Sequence, residues 1–293
     1  NGYDVIMSNN CDLVASSADY DLDGIPDACD ECPTNPSPDC TEEVDYPIIS
    51  TDNSMARQWN EMLLASIRGD FARPTVHARN LWHCSLLMWD AWAVMEPSAC
   101  PAFLGQDYAG FQAPFDGFTP SNDIATARDE ALAFGMYRLL QNRFANAPQA
   151  SDLMTGYDVH MVTLGYDVNF ISTDYSSGDG RALGNYLASQ LIAFGLQDGA
   201  NEQNDFANTS YTPLNPPLIV DMPGNATVLD LNRWQPLTLD LFIDQSGNSI
   251  PGETPDFLSP EWGQVTSWAL TDDDLATYTR DGFDYKVYHD PGG

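Results

Sequence analysis

Between Met55 and Met95 the chain runs MARQWNEMLLASIRGDFARPTVHARNLWHCSLLMWDAWAVM, two helical patterns joined by a short basic turn. In the first, Met55, Trp59, Met62, Leu63, Ser66 and Ile67 recur at spacings of three and four, which places one apolar stripe on an amphipathic helix. Thr51, Asp52, Asn53 and Ser54 can each cap its start, Gly69 marks its stop, and Pro74 opens the second helix where a missing N–H costs nothing. That second pattern, Leu81 to Met95, is apolar nearly all round, with Leu81, Trp82, Leu86, Leu87, Met88, Trp89, Trp92, Val94 and Met95. A helix without a polar face is buried in protein or lipid, and Arg79, His83 and Asp90 interrupt it too closely for a membrane span of about 20 apolar residues. It is therefore predicted to be the central helix of a helical bundle. Asp90, among three tryptophans, is costly to desolvate unless paired. Arg57, Arg68, Arg73 and Arg79 are the candidate partners, and a buried ion pair is preferred over a catalytic role.

The remaining residues bound the function. Acidic side chains number 43 against 11 basic, a net charge of −32, with Lys286 the only lysine. That balance argues against nucleic acid and anionic membranes as partners and in favour of cations. Six cysteines, four of them between Cys11 and Cys40, indicate disulfides and an oxidising, extracellular or cell-surface setting; with no leader at its start, a secreted chain of this kind would be the mature form. The sequons at Asn208 and Asn225 matter only in a eukaryotic host.

Three segments differ in texture: 1–45, 46–198 and 199–293. The first lacks apolar periodicity and needs staples or metal to hold a shape. Its Asp19, Asp21, Asp23, Asp27 and Asp30 fall at positions 1, 3, 5, 9 and 12 of a loop with Gly24 at position 6, the spacing of a calcium loop in which the Ile25 carbonyl supplies a further oxygen. Five carboxylates in twelve residues repel one another without a divalent cation, and hard oxygen ligands select Ca²⁺ over zinc or copper. In the second segment a loop from Glu96 to Asn122, which a Cys84–Cys100 bridge could staple, precedes three further helices: about Asp123 to Phe144, Ser151 to Tyr166, and Gly180 to Leu196, the last with Gly184 and Ala188 permitting close approach. Five helices suffice for a bundle. In the third segment, eight prolines between Pro213 and Pro260 forbid long helices, so 199–293 should wrap the surface in extended pieces, with Leu218 to Val220 and Leu237 to Ile243 as a hairpin or edge strands.

The run Asp-x-Asp-x-Asp-Gly-Ile-Pro-Asp-x-Cys-Asp-x-Cys-Pro resembles a thrombospondin type 3 repeat over about residues 11–40. The resemblance implies calcium on Asp19, Asp21, Asp23, Ile25, Asp27 and Asp30, with Asp27 direct or through water. It also implies disulfides among Cys11, Cys29, Cys32 and Cys40, for which three pairings exist. Residues 48–293 resemble the N-terminal half of vanadium-dependent haloperoxidase-like proteins, relatives of type 2 phosphatidic acid phosphatases. That likeness rests on Ala56-Arg57-Gln58-Trp59-Asn60-Glu61, on Ala72-Arg73-Pro74-Thr75-Val76-His77-Ala78-Arg79-Asn80, on Asn232-Arg233-Trp234-Gln235-Pro236-Leu237, and on His289-Asp290-Pro291-Gly292. It implies an all-helical fold whose oxyanion site sits in a second, C-terminal bundle.

The site residues of that family are missing here. Lys286 has no following Arg-Pro, Ser246-Gly247 is followed by Asn248, and no arginine has a histidine six residues on. No catalytic residue is assigned, and vanadate enters only if a C-terminal half exists. Other catalytic signatures fail too, and His77 and His83, six residues apart, lie about 240° around a helix, a poor metal pair. His77 is expected to hydrogen-bond within the Arg73 to Asn80 turn, and Arg68-Gly69-Asp70 reads as helix-stop chemistry as well as an adhesion tripeptide. The expected function is a secreted calcium-binding scaffold half that works with a companion fragment. The alternatives are a non-enzymatic, calcium-dependent extracellular subunit that self-assembles, or a glycan- or cation-binding module using Trp234 and Trp262, residues that could instead cover the bundle.

Overall fold

The structure is a computed structural model that describes residues 46–220, 222, 228–243 and 249–287. The calcium loop from Asp19 to Asp30, its four cysteines, Asn225, Ser246-Gly247 and His289-Asp290-Pro291-Gly292 lie outside the described residues. What is described is mainly helical: five α-helices, α1 (Met55–Arg68), α2 (Pro74–Ala93), α3 (Ile124–Arg143), α4 (Ala150–Thr163) and α5 (Gly180–Gly195), with seven short strands.

The helix ends follow the local chemistry. Ser54 accepts from the Arg57 amide, Gly69 returns its N–H to Ala65, Pro74 opens α2, and Asp123 and Asp179 accept from the amides of Thr126 and Arg181. Trp59, Met62, Leu63 and Ser66 of α1 are buried, with Met55 and Ile67 packed on their edge. One contiguous apolar core takes side chains from all five helices.

The centre of that core is α3, not α2. Helix α3 touches the other four helices and packs most extensively against α5. Its small residues explain why. A Cβ placed on Gly184 of α5 would lie 2.3 Å from the Ala131 carbonyl oxygen and 2.8 Å from the Gly135 nitrogen of α3, so the two backbones meet where no side chain fits. Helix α2 instead keeps one flank at the surface, with Trp89 45% exposed and Leu81, Trp82 and Trp92 nearly as much. The expectation of all-round burial fails because tryptophan has a polar tip and a broad face that can be shared. The Trp89 indole N–H donates to the Cys100 carbonyl at 3.1 Å, and Trp92 lies under the Arg128 guanidinium at 5.2 Å.

Asp90 is fully buried as expected, but the partners seen for its carboxylate are backbone amides rather than an arginine. Its carboxylate accepts the successive amides of Ala102, Phe103 and Leu104 at 2.6, 3.0 and 2.6 Å. Arg57 pairs with Glu61, Arg73 with Asp70 and Asp205, and Arg79 with Asp198 and Glu202. The loop leaving α2 folds back and supplies charge-assisted donors from its own backbone, an anion nest closed over only 14 residues. Burial pushes the Asp90 carboxyl above its ordinary range, and the three amides pull it the other way. This anchor, rather than a disulfide, ties the loop down. Cys84 and Cys100 are both free thiols, Cys84 inside the core with its pKa pushed up to about 12 by burial and Cys100 exposed.

In the last segment β3 (Leu218–Ile219) runs parallel to β4 (Leu237–Ile243), which pairs antiparallel with β5 (Ser249–Glu253). The two predicted extended runs are thus neighbours in one small sheet, but parallel rather than a hairpin. A hairpin does form later, β6 (Ala276–Arg280) with β7 (Phe283–Val287), turned by Asp281-Gly282 with both residues at positive φ. That dipeptide is a strong turn signal between alternating residues, and it was readable in the sequence. Buried Asn215 pins the intervening chain, donating to the carbonyls of Asp230 and Arg233 and accepting from the amides of Leu229 and Asp230. A third short pair, β1 (Asp107–Tyr108) with β2 (Phe111–Gln112), lies in the loop between α2 and α3.

Candidate functional site

The chemistry of the described residues concentrates where α2, α3 and the chain after α5 converge. Arg79, Trp82 and His83 stand three and four residues apart on one face of α2, which brings their side chains together. Arg143 comes from the last turn of α3, and Asp198 and Glu202 follow the end of α5. Arg79 Nε donates to Asp198 Oδ2 at 2.6 Å, and its Nη2 donates to Glu202 Oε2 at 2.7 Å and to the Gly195 carbonyl at 2.9 Å. Arg143 reaches the other oxygen of Glu202 and donates to the Leu191 carbonyl at 3.3 Å. Both guanidiniums therefore sit on the negative end of α5. Gly195 leaves room for this approach, since an added Cβ would fall within 2.7 Å of both guanidiniums and push their ends aside.

Arg79, His83, Arg143 and Asp198 are all buried. Two cations and two carboxylates balance, so the cluster is a neutral clasp that locks the chain after α5 onto α2 and α3. Asp198 extends the lock: its Oδ1 accepts from the Ala200 amide at 3.0 Å and its carbonyl from the Thr266 amide at 2.7 Å.

His83 completes the cluster. Arginine can only donate, so the 3.1 Å contact from Arg143 Nη2 fixes Nδ1 as the acceptor and the proton on Nε2, which lies 3.8 Å from Asp198 Oδ2. Burial first, then Arg143 and Arg79, hold its pKa well below the ordinary value, so the ring is neutral at pH 7. Its one basic nitrogen is occupied, which leaves it a hydrogen-bond donor and unfit as a general base.

A cavity of about 190 Å³ opens on this floor, bounded by Arg79, Trp82, His83, Asp198, Trp262 and Trp268. Trp268 meets Trp82 edge-on at 4.5 Å and stacks on Tyr108 at 3.7 Å. The Tyr108 hydroxyl donates to the Ala102 carbonyl, next to the amides that Asp90 holds. The Asp90 anchor therefore supports one wall of the cavity.

Of the residues singled out in the sequence, Arg79, Trp82, His83 and Trp262 line this cavity and the other candidates fall elsewhere. His77 bonds the Phe71 carbonyl at 2.8 Å, just before the turn it was expected to serve, and stays apart from His83. In Arg68-Gly69-Asp70, Gly69 caps α1 and Asp70 is buried against Arg73, which leaves no exposed adhesion tripeptide. Trp234 packs against Tyr211 and Phe257 and is not part of the cavity lining that holds Trp262. Asp198, Glu202 and Arg143 escaped sequence reading. The one available signal was that bases are scarce, so any buried arginine must claim acids.

The neutral imidazoles predict an acid sensitivity. His160 is buried against Trp59, with ring centroids 5.3 Å apart, and burial lowers its pKa to about 4. The unfolded chain binds this proton near pH 6.5 and the folded chain only near 4, so stability is full above pH 6.5 and lost as pH falls through that window. At about 1.4 kcal/mol per pH unit, His160 removes roughly 3 kcal/mol by pH 4, His83 acts in the same direction, and the raised Asp90 carboxyl opposes both. Urea midpoints at pH 7 and pH 4 measure the loss, and His160→Phe is expected to flatten it.

No group of three or more His, Cys, Asp or Glu among the described residues is arranged to hold a metal, and no described helix is long and apolar enough to cross a membrane. Neither a protein-family model nor a curated protein sequence matches the chain.

Proposed function

We propose that this chain is the non-catalytic scaffold half of a secreted protein of the vanadium-dependent haloperoxidase type, joined to a calcium-binding thrombospondin type 3 module at residues 1–45. In this reading the five helices are the first bundle of that architecture, and residues 199–293 wrap it. The observation that carries the proposal is the state of the buried arginines. Holding a vanadate or phosphate trianion needs several fixed cations not already neutralised. Arg79 and Arg143, the two deepest, are committed to Asp198 and Glu202. The lysine, Ser-Gly-His and arginine–histidine patterns of an oxyanion site are absent from the sequence, so any such chemistry needs residues outside this chain.

Calcium is assigned to Asp19, Asp21, Asp23, Ile25, Asp27 and Asp30 on loop spacing alone. Calorimetric titration of the full chain is expected to show at least one saturable calcium site. Asp23→Ala should weaken it by ten-fold or more, because a central ligand and a compensating charge are lost together. Identical isotherms for the two proteins would refute the assignment.

A further inference from the structure

The cavity above the clasp has a lining that the scaffold reading does not use. Three indoles, Trp82, Trp262 and Trp268, with Phe194, form carbon-rich walls, and the hydroxyl-bearing Thr75 and Thr266 belong to the same lining. At the floor His83, 1% exposed, has its Nε2 3.8 Å from Asp198 Oδ2, and Arg79 Nη1, buried in the same lining, has no hydrogen-bond partner among the described residues. The Nδ1 edge of His83 is taken by Arg143, which is not part of the lining, so the Nε2–H edge belongs to the cavity side, with Asp198 out of hydrogen-bond range.

Charge selects against ions. The clasp is neutral in sum, so it offers an anion no net attraction, and the chain's net charge of −32 repels anions at long range. A cation would enter against the Arg79 guanidinium in the wall. The volume of about 190 Å³ lies below the roughly 300 Å³ at which drug-sized pockets begin. What fits is small, uncharged, able to accept a hydrogen bond from an imidazole N–H, and faced with C–H groups that lie on indole rings.

We propose that this cleft binds one neutral hydroxylated six-membered ring, a free monosaccharide or the terminal unit of a glycan. The ring lies on the indoles, accepts a hydrogen bond from His83 Nε2–H, and exchanges hydrogen bonds with the hydroxyl of Thr266 and with the remaining capacity of the Thr75 hydroxyl, which also bonds Ser259 Oγ at 2.6 Å. The test is calorimetric titration of the full chain with D-glucose, D-galactose and N-acetylglucosamine, each also as its methyl glycoside, with choline and glucuronate as charged probes. One saturable 1:1 site for at least one neutral sugar, and none for choline or glucuronate, is expected. Tighter binding of the methyl glycoside assigns the site to glycan ends, and equal or weaker binding assigns it to the free sugar. Trp262→Ala and Thr266→Val, both outside the helical core, should each weaken binding, the former at least ten-fold, with the melting temperature unchanged. Titrations that stay flat for every neutral sugar, tighter binding of choline or glucuronate, or unchanged affinity in both variants would overturn the proposal.

Discussion

Asp198→Ala should lose about 4 kcal/mol of stability, within the roughly 3–5 kcal/mol range for removing one partner of a buried ion pair. The substitution strands Arg79 Nε, which had a 2.6 Å acceptor, and takes the acceptor from the Ala200 amide. Glu202 still serves both guanidiniums, so the fold survives, with a melting temperature lower by about 10 °C for a domain of this size. The double variant Arg79→Met with Asp198→Leu separates the two meanings of the pair. Removing both charges relieves both desolvation costs, so much of the loss should return. A single variant within about 1 kcal/mol of the parent in chemical denaturation would mean that water already reaches the clasp.

Asp90→Ala should cost a similar amount by a different route. The buried amides of Phe103 and Leu104 and the half-buried amide of Ala102 lose this acceptor, and each buried donor left orphaned costs about 1 kcal/mol or more. Asp90→Asn is expected to fall between, because one carbonyl oxygen can still accept while the new NH₂ group faces an amide N–H. The effect should also reach the cavity. Tyr108 bonds to Ala102 and stacks on Trp268, so loosening the loop is expected to red-shift the tryptophan emission as Trp268 gains water. An arginine-paired Asp90 would give no such coupling. Denaturation and emission spectra of the two variants measure both effects.

These two carboxylates show which parts of the fold a sequence carries. Asp90 could be recognised as buried from its neighbours on α2, because helical periodicity is local. Its partner could not, since three backbone amides leave no trace in residue type. Asp198 was invisible for a related reason. It meets Arg79 across 119 residues, and in a chain with 43 acids nothing local marks the acid that an arginine will choose. Helix ends at Ser54, Gly69, Pro74 and Asp123 were legible because capping is settled within a few residues. The identity of the central helix was not. Hydrophobic richness pointed to α2, whereas the close approach of Gly184 to Ala131 placed α3 at the centre, and tryptophan's tolerance of the surface let α2 turn a flank outward. Of the candidate cleft, Arg79, Trp82 and His83 stood out in the sequence only as parts of α2, and Trp262 alone as a sugar-stacking residue, paired with Trp234, which packs against Tyr211 and Phe257.

Asp198 and Glu202 neutralise the two buried arginines, Arg79 and Arg143, so that the donors left over on them, such as Arg79 Nη1, carry no net charge to hold an oxyanion. Titrating orthovanadate into the full chain, followed by vanadium NMR, tests this most directly. With Arg79 and Arg143 closed on Asp198 and Glu202, the vanadate resonance is expected to keep its position and width at every ratio. A saturable one-to-one complex that disappears in Arg79→Met would contradict this and place an oxyanion site within this chain.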